Sequence, residues 1–132
     1  MPQKNLVLII AREFASLIAT PMLVADGDGN LVFFNEPAED ILGRTFSESA
    51  EMPASRWGEL FTVHDLEGKP LSLEQMPAGI ALREGRPVHG PIQITSLEGV
   101  RRELEVTAFP LFAHPDEQVG IIAIFWERGR VE

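Results

Sequence analysis

Chemistry in a protein begins with a few reactive side chains, and this 132-residue sequence offers a thin set: no cysteine and three histidines, His64, His89 and His114. Without a thiolate there is no cysteine nucleophile, disulfide scaffold, thiolate zinc site or flavin–cysteinyl photochemistry. The histidines are widely separated. No two share a helix face or a short ligand spacing, so no metal site is expected. His64 lies in an irregular polar stretch, His89 opens an apolar segment, and His114 precedes Pro115-Asp116 in an evident turn. Contact with solvent accounts for all three. Among the acids, Glu103 and Glu105 share one face of a strand pattern, but Arg101 shares it too. That is a solvated edge rather than a carboxylate pair set for acid–base work. Asp26-Gly27-Asp28-Gly29 begins like a calcium loop yet lacks the later ligands and the terminal glutamate. There is no glycine-rich phosphate loop and no nucleophile elbow. Asn35, just before Glu36-Pro37, reads as a helix N-cap. No catalytic residue and no metal are expected; a small α+β enzyme using His64 or His89 with a nearby acid is the alternative from another class.

The balance of 20 acidic against 11 basic residues gives a formal charge of −9, with no basic cluster. Neither a nucleic-acid surface nor an anionic-membrane surface is expected from that balance. No apolar run approaches the roughly 18 residues of a membrane span. Leu6–Ala11 is followed by Arg12-Glu13 and by no small-residue cleavage site. The expectation is a cytoplasmic, soluble chain, and its length fits one domain of roughly 100–150 residues.

Residues 5–20 carry a helical period: Leu6, Ile10, Phe14 and Leu17 form a stripe that Val7, Leu8, Ile9 and Ile18 widen, and Thr20-Pro21 closes it. Met22–Asp26, a glycine-permitted turn at 26–30 and Leu31–Phe34 predict a hairpin. Asn35 then caps a short helix over Glu36–Leu42 that Gly43 stops. Residues 44–70 show no sustained period and are expected to be loop with one or two short helical turns. Ser72-Leu73-Glu74-Gln75 is a capping-box pattern opening a helix to about Glu84, with Pro77 in its first turns or splitting it. Three strands follow, Pro91–Thr95, Arg102–Phe109 and Val119–Trp126. Gly120–Trp126 is apolar on both faces, so each side needs a cover, and the N-terminal helix can supply one. The predicted fold class is α+β: a five-stranded antiparallel sheet with helices on one face and the N-terminal helix over the outer face.

Several of these segments together resemble a PAS domain. Asp26 through Phe34 with Asn35, Pro37-Ala38 and Ile41-Leu42-Gly43 are similar to that family's D-x-x-G-x-I-x-x-x-N…G opening. Leu66-Glu67-Gly68-Lys69-Pro70-Leu71, Met76-Pro77 and Ala81 through Val88 resemble a loop and long-helix signature of bacterial sensor PAS domains. Ala108-Phe109-Pro110-Leu111 and Gly120–Trp126 are similar to the closing strands, although Glu127-Arg128-Gly129 stands where relatives carry an Asp-Ile-Thr exit. The resemblance divides the chain into an N-terminal helix at 1–20, a PAS-like domain at 21–127 and a tail or linker stub at 128–132. It implies an apolar chamber between the sheet and the helices. Strand alternation anchored to the family pattern places Leu23, Ala25, Ile92, Ile94, Leu104, Val106, Ala108, Ile121, Ala123 and Phe125 on its wall. Ile41, Leu42, Ile80 and Ala81 come from the helices. Flavin-binding relatives carry amides where Ile94, Leu104 and Phe125 stand here, which disfavours flavin. Haem-binding relatives carry their histidine on or near the long helix, which has none here, so haem is not expected.

What the resemblance implies is a non-catalytic sensory or signal-transduction domain of the kind found in two-component systems. It would bind a small apolar ligand or a protein partner and pass its state to an effector such as a histidine kinase, cyclase or transcription regulator. The apolar run Leu6–Ile10 cannot hide wholly against one sheet face, so a homodimer is expected. Leu6, Ile10, Phe14, Leu17, Ile122, Ile124 and Trp126 are its candidate contacts. A pure homodimerisation module with a filled core is the alternative.

Overall fold

The computed structural model describes residues 5–43, 53, 61–96 and 99–128. In chain order these form α1 (Asn5–Ser16), β1 (Met22–Asp26), β2 (Leu31–Phe34), α2 (Glu36–Leu42), β3 (Phe61–His64), a 3₁₀ turn (Leu73–Gln75), α3 (Pro77–Glu84), β4 (Val88–Ser96), β5 (Arg101–His114) and β6 (Glu117–Glu127). The six strands make one antiparallel sheet in the order β2-β1-β6-β5-β4-β3.

The α+β architecture is as expected, with one correction: the sheet has six strands, not five. The added strand is β3, which lies within the stretch read as loop, while residues 44–52 and 54–60 of that stretch lie outside the described residues. Its cause is local. Asp65 Oδ1 accepts hydrogen bonds from the N–H groups of Glu67 and Lys69, both at 2.9 Å, and the turn brings His64 opposite Pro70. The chain thereby holds Val63 against Ile94 at the sheet edge.

Two helices differ in extent from the sequence reading. α1 ends at Ser16 rather than 20, because Leu17 and Ile18 donate to carbonyls only three residues back and Pro21 follows. The 72–84 segment splits at Met76, which takes ψ 159° because Pro77 pushes the preceding residue into extended geometry. Gly79 makes that split compact: a Cβ there would collide with the Leu73 carbonyl.

Alternation along the strands sends side chains into two separate apolar layers. Leu23, Ala25, Ile92, Ile94, Leu104, Val106, Ala108, Ile121, Ala123 and Phe125 pack with α2 and α3 on one face. Met22, Val24 and Ile122 pack under Leu8, Ala11 and Ala15 of α1 on the other. β6 is therefore buried on both sides through its centre, which is why its sequence shows no alternation. Gly120 is needed where β1, β6 and α1 converge: a Cβ there would strike the Ala25 carbonyl and lie 3.0 Å from Leu8 Cδ2.

Candidate functional site

The first candidate site is the space between the sheet and α2–α3. A cavity of about 40 Å³ lies there, lined by Leu23, Leu42, Ile92, Ile94, Leu104, Val106, Ala123 and Phe125. Met76, Pro77 and Ala78, at the junction of the 3₁₀ turn with α3, also line it and are not among the wall residues expected from the sequence. Of the remaining expected wall residues, Ala25, Ile41, Ala81, Ala108 and Ile121 belong to the surrounding core without lining the cavity. Ile80 is only half-buried and stands outside that core cluster, because Ala78 and Ala81 occupy the inward face of α3.

A water occupies roughly 10–15 Å³ by such a measure, so the cavity has room for a few water-sized spheres and no more. Among the described residues the lining side chains are aliphatic or aromatic, and none presents a group that would orient a polar ligand. That volume is far smaller than a flavin or haem ring system. Nor does any histidine look inward. His64 follows the inward-facing Val63 and therefore takes the outer face, where it pairs with Gln93. The side chains of His89 and His114 are 54 % and 73 % exposed. Among the described residues no three potential metal ligands converge.

The second candidate is the outer face. α1 lies across β1, β2, β5 and β6 on its small-residue side, so that Ile122 is buried beneath it and Ile124 partly so. The dimer role expected of Ile122 is therefore closed off while α1 stays in place. Opposite that seam the helix presents its large side chains to solvent. Leu6, Ile9, Ile10, Phe14 and Leu17 are between 53 % and 84 % exposed. Four of the five are the expected stripe, and Ile9 joins them.

Asn35 locks α1 to the domain, and it does more than cap α2. Its Oδ1 accepts from the N–H of Ala38 at 3.2 Å and of Met22 at 3.0 Å. Its Nδ2 donates to the carbonyls of Ala15 at 3.0 Å, Ile18 at 3.3 Å and Thr20 at 2.9 Å. One buried amide thus joins the end of α1, the start of β1 and the start of α2.

Beyond α1, the outer sheet face is polar. Trp126 is 40 % exposed and lies 6.0 Å, centroid to centroid, from the His89 ring. His89 Nε2 is 2.9 Å from Glu105 Oε1, and Arg128 Nε is 3.1 Å from Glu105 Oε2. Arg128 also lies 3.8 Å from Glu103. The solvated edge anticipated around Glu103 and Glu105 is real, but its cation is Arg128 from the end of β6 rather than Arg101. With both Glu105 oxygens engaged, this is an ion-pair cluster on an open face.

The fold is an α+β module: a curved antiparallel sheet with a small apolar chamber on one face and a helix across the other. Comparison with known proteins makes the class specific. The PAS domain family model matches residues 19–127. The chain belongs to the PAS domain family, whose members are typically sensory and signalling modules and generally non-catalytic. Among solved structures it resembles the LOV protein of Rhodobacter sphaeroides, at 17 % identity over 93 % of this chain and 68 % of that one, with a TM-score of 0.70. It also resembles the PAS domain of nitrogen regulation protein NR(II) from Vibrio parahaemolyticus, at 15 % identity over 90 % and 98 % of the two chains, TM-score 0.61. The PAS domain of BvgS from Bordetella pertussis is similar at 18 % identity over 93 % and 86 %, TM-score 0.58. At such identities the likeness concerns the fold. No curated protein matches the sequence.

Proposed function

We propose that this chain is a non-catalytic signal-transduction PAS module that works as a homodimer through the exposed face of α1. The observation that carries this reading is the set Leu6, Ile9, Ile10, Phe14 and Leu17, large apolar side chains exposed together on a helix whose other side is already packed. A patch of that kind on a soluble domain marks a surface that meets a partner, and a symmetric second copy offers the same patch in return. Trp126 and the partly buried Ile124 lie on the same sheet face and would extend the contact.

Signal transfer in this reading is mechanical. Asn35 couples the end of α1 to β1 and α2, so a change in packing around α2 alters how α1 is held, and with it the dimer. The chamber at about 40 Å³ suits a very small apolar ligand or none, which favours input by a protein partner over input by a bulky cofactor. The output would be an effector such as a histidine kinase, cyclase or transcription regulator, in the cytoplasm.

Sedimentation velocity over a concentration series tests the proposal. The expected result is a reversible dimer for the unaltered chain and a monomer for Ile10→Glu and Phe14→Glu. Both variants should keep the parent's urea midpoint extrapolated to low protein concentration, because both positions are exposed. A parent chain that stays monomeric throughout, or variants that still dimerise, would remove the proposal. Native and denaturing mass spectra of one sample would show separately whether the chamber carries a small molecule.

A further inference from the structure

A second pocket, away from both the chamber and α1, opens on the outer face at the β3 edge. It has a volume of about 270 Å³ and is lined by His64, Leu66, Glu67, Gly68, Gln93 and Arg101. Its floor is unusual for a sheet surface. Gln93, a polar residue only 8 % exposed, lines it from β4. His64 beside it keeps a buried Nδ1 with no hydrogen-bond partner. A buried imidazole nitrogen left incomplete beside an amide open to the groove calls for something to complete it.

Opposite charges flank that floor. Arg101 enters from β5, on one side of Gln93, and Glu67 from the turn after β3, on the other. No ion pair joins them to each other, and neither pairs with another described residue. The nearest acid on the strand face, Glu103, faces Arg128. Across two strand spacings, roughly 10 Å, the groove therefore presents a guanidinium, an amide that can both donate and accept, and a carboxylate.

We propose that this groove is a binding site for a small zwitterion of amino-acid type. Its carboxylate pairs with Arg101, its ammonium with Glu67, and Gln93 and His64 form the polar floor beneath it. A guanidinium takes a carboxylate through two parallel hydrogen bonds, which fixes the ligand's orientation as well as its charge. A simple anion would leave Glu67 facing like charge in a chain that already carries −9. A simple cation would leave Arg101 unmatched. The site owes nothing to the α1 dimer and would operate in a monomer.

The test is an amide-resolved NMR titration of the full chain with each of the twenty standard amino acids, up to about 10 mM, past the millimolar range of weak polar sites. Acetate and methylammonium serve as half-ligands. At least one amino acid should move the amide signals of Glu67, Gly68, Gln93 and Arg101 and leave those of α1 in place. Arg101→Ala and Glu67→Gln should each weaken that binding about 10- to 100-fold, the range set by one lost charge-assisted contact. Both positions are exposed, so an unchanged urea midpoint is expected. The proposal is overturned by no response to any amino acid, by binding that survives both substitutions, or by acetate binding as tightly as the amino acid.

Discussion

Asn35 concentrates more of the architecture in one side chain than any other described residue, and its removal is the sharpest test of how α1 is held. In Asn35→Ala five hydrogen-bond contacts disappear, two accepted by Oδ1 and three donated by Nδ2. One of the groups left behind matters most: the Met22 N–H belongs to a residue with no solvent exposure and loses its partner. The Ala15 carbonyl keeps the N–H of Ile18 at 3.2 Å, and the Thr20 and Ile18 carbonyls, on partly exposed residues, can turn to water. Taking one buried group at about 1–3 kcal/mol, and the others near zero, gives a loss of about 2 kcal/mol. For a domain of this length that lowers Tm by about 7 °C.

Asn35→Asp separates the two halves of the role. A carboxylate still accepts from Met22 and Ala38, so the α2 cap survives. It also turns an oxygen toward three carbonyls where an N–H₂ group had been, and so repels the end of α1. The expected pattern is α1 exchanging its amide hydrogens near the rate of local unfolding while α2 stays protected. Thermal melts followed by circular dichroism, with hydrogen exchange read by mass spectrometry, give both numbers. A loss under about 0.5 kcal/mol for Asn35→Ala, or unchanged α1 protection in Asn35→Asp, would refute the coupling argument.

Gly120→Ala should cost about 2–3 kcal/mol, since the new methyl meets a β1 carbonyl that belongs to the ladder and cannot yield; Gly27→Ala, whose nearest contact is 3.5 Å, serves as the near-neutral control in the same urea series. Ala123→Val points into the 40 Å³ chamber and should cost less than about 1 kcal/mol, whereas Ala25→Leu, in a filled part of the same core, should cost about 1–3 kcal/mol; equal costs would mean the chamber is not where it is described. Arg86 donates to Glu84 at 2.6 Å and, with Arg83, holds that carboxyl below its ordinary pKa. A lowered folded-state pKa contributes stability above the unfolded value that is lost as pH falls through the folded one. Glu84→Gln should therefore flatten a small part of the acid limb of the stability curve, and added salt should erase the difference because the pair is exposed.

Much of the inner face was legible because strand alternation is a strict code: every strand residue expected to face inward does so. β3 was not read, although its signal was present in a form already used elsewhere. Asp26-x-x-Gly29-Asn30 identified the first hairpin, and Asp65-x-x-Gly68-Lys69 repeats its spacing. The structure gives both the same bonds, the first residue's carboxylate accepting from the third and fifth N–H groups. Both glycines take the positive φ that the turn requires, 85° and 91°. Ser96 builds a relative of this turn, with its hydroxyl accepting from the Val100 N–H at 3.3 Å. β3 itself has four residues, too few for alternation to stand out beside an aperiodic neighbour. The turn, not the strand, was the readable element.

The N-terminal helix is a different case, since it carries two apolar faces. Hydropathy ranked Leu6, Ile10, Phe14 and Leu17 as its apolar stripe, yet the side it buries is Leu8, Ala11 and Ala15. The reason lies in the sheet. Gly120 lets the helix descend until Leu8 Cδ2 is 3.0 Å from where a Cβ would stand, and at that separation alanine, not phenylalanine, fits the seam. A helix with one apolar face would have turned its larger residues inward to remove the most surface from water. This one keeps them out and is fixed in that rotation by the Asn35 amide bonded to Ala15, Ile18 and Thr20. Two apolar faces of different size, with the orientation pinned by a buried polar residue, are what a helix needs to pack on its own domain and still present a surface to another chain.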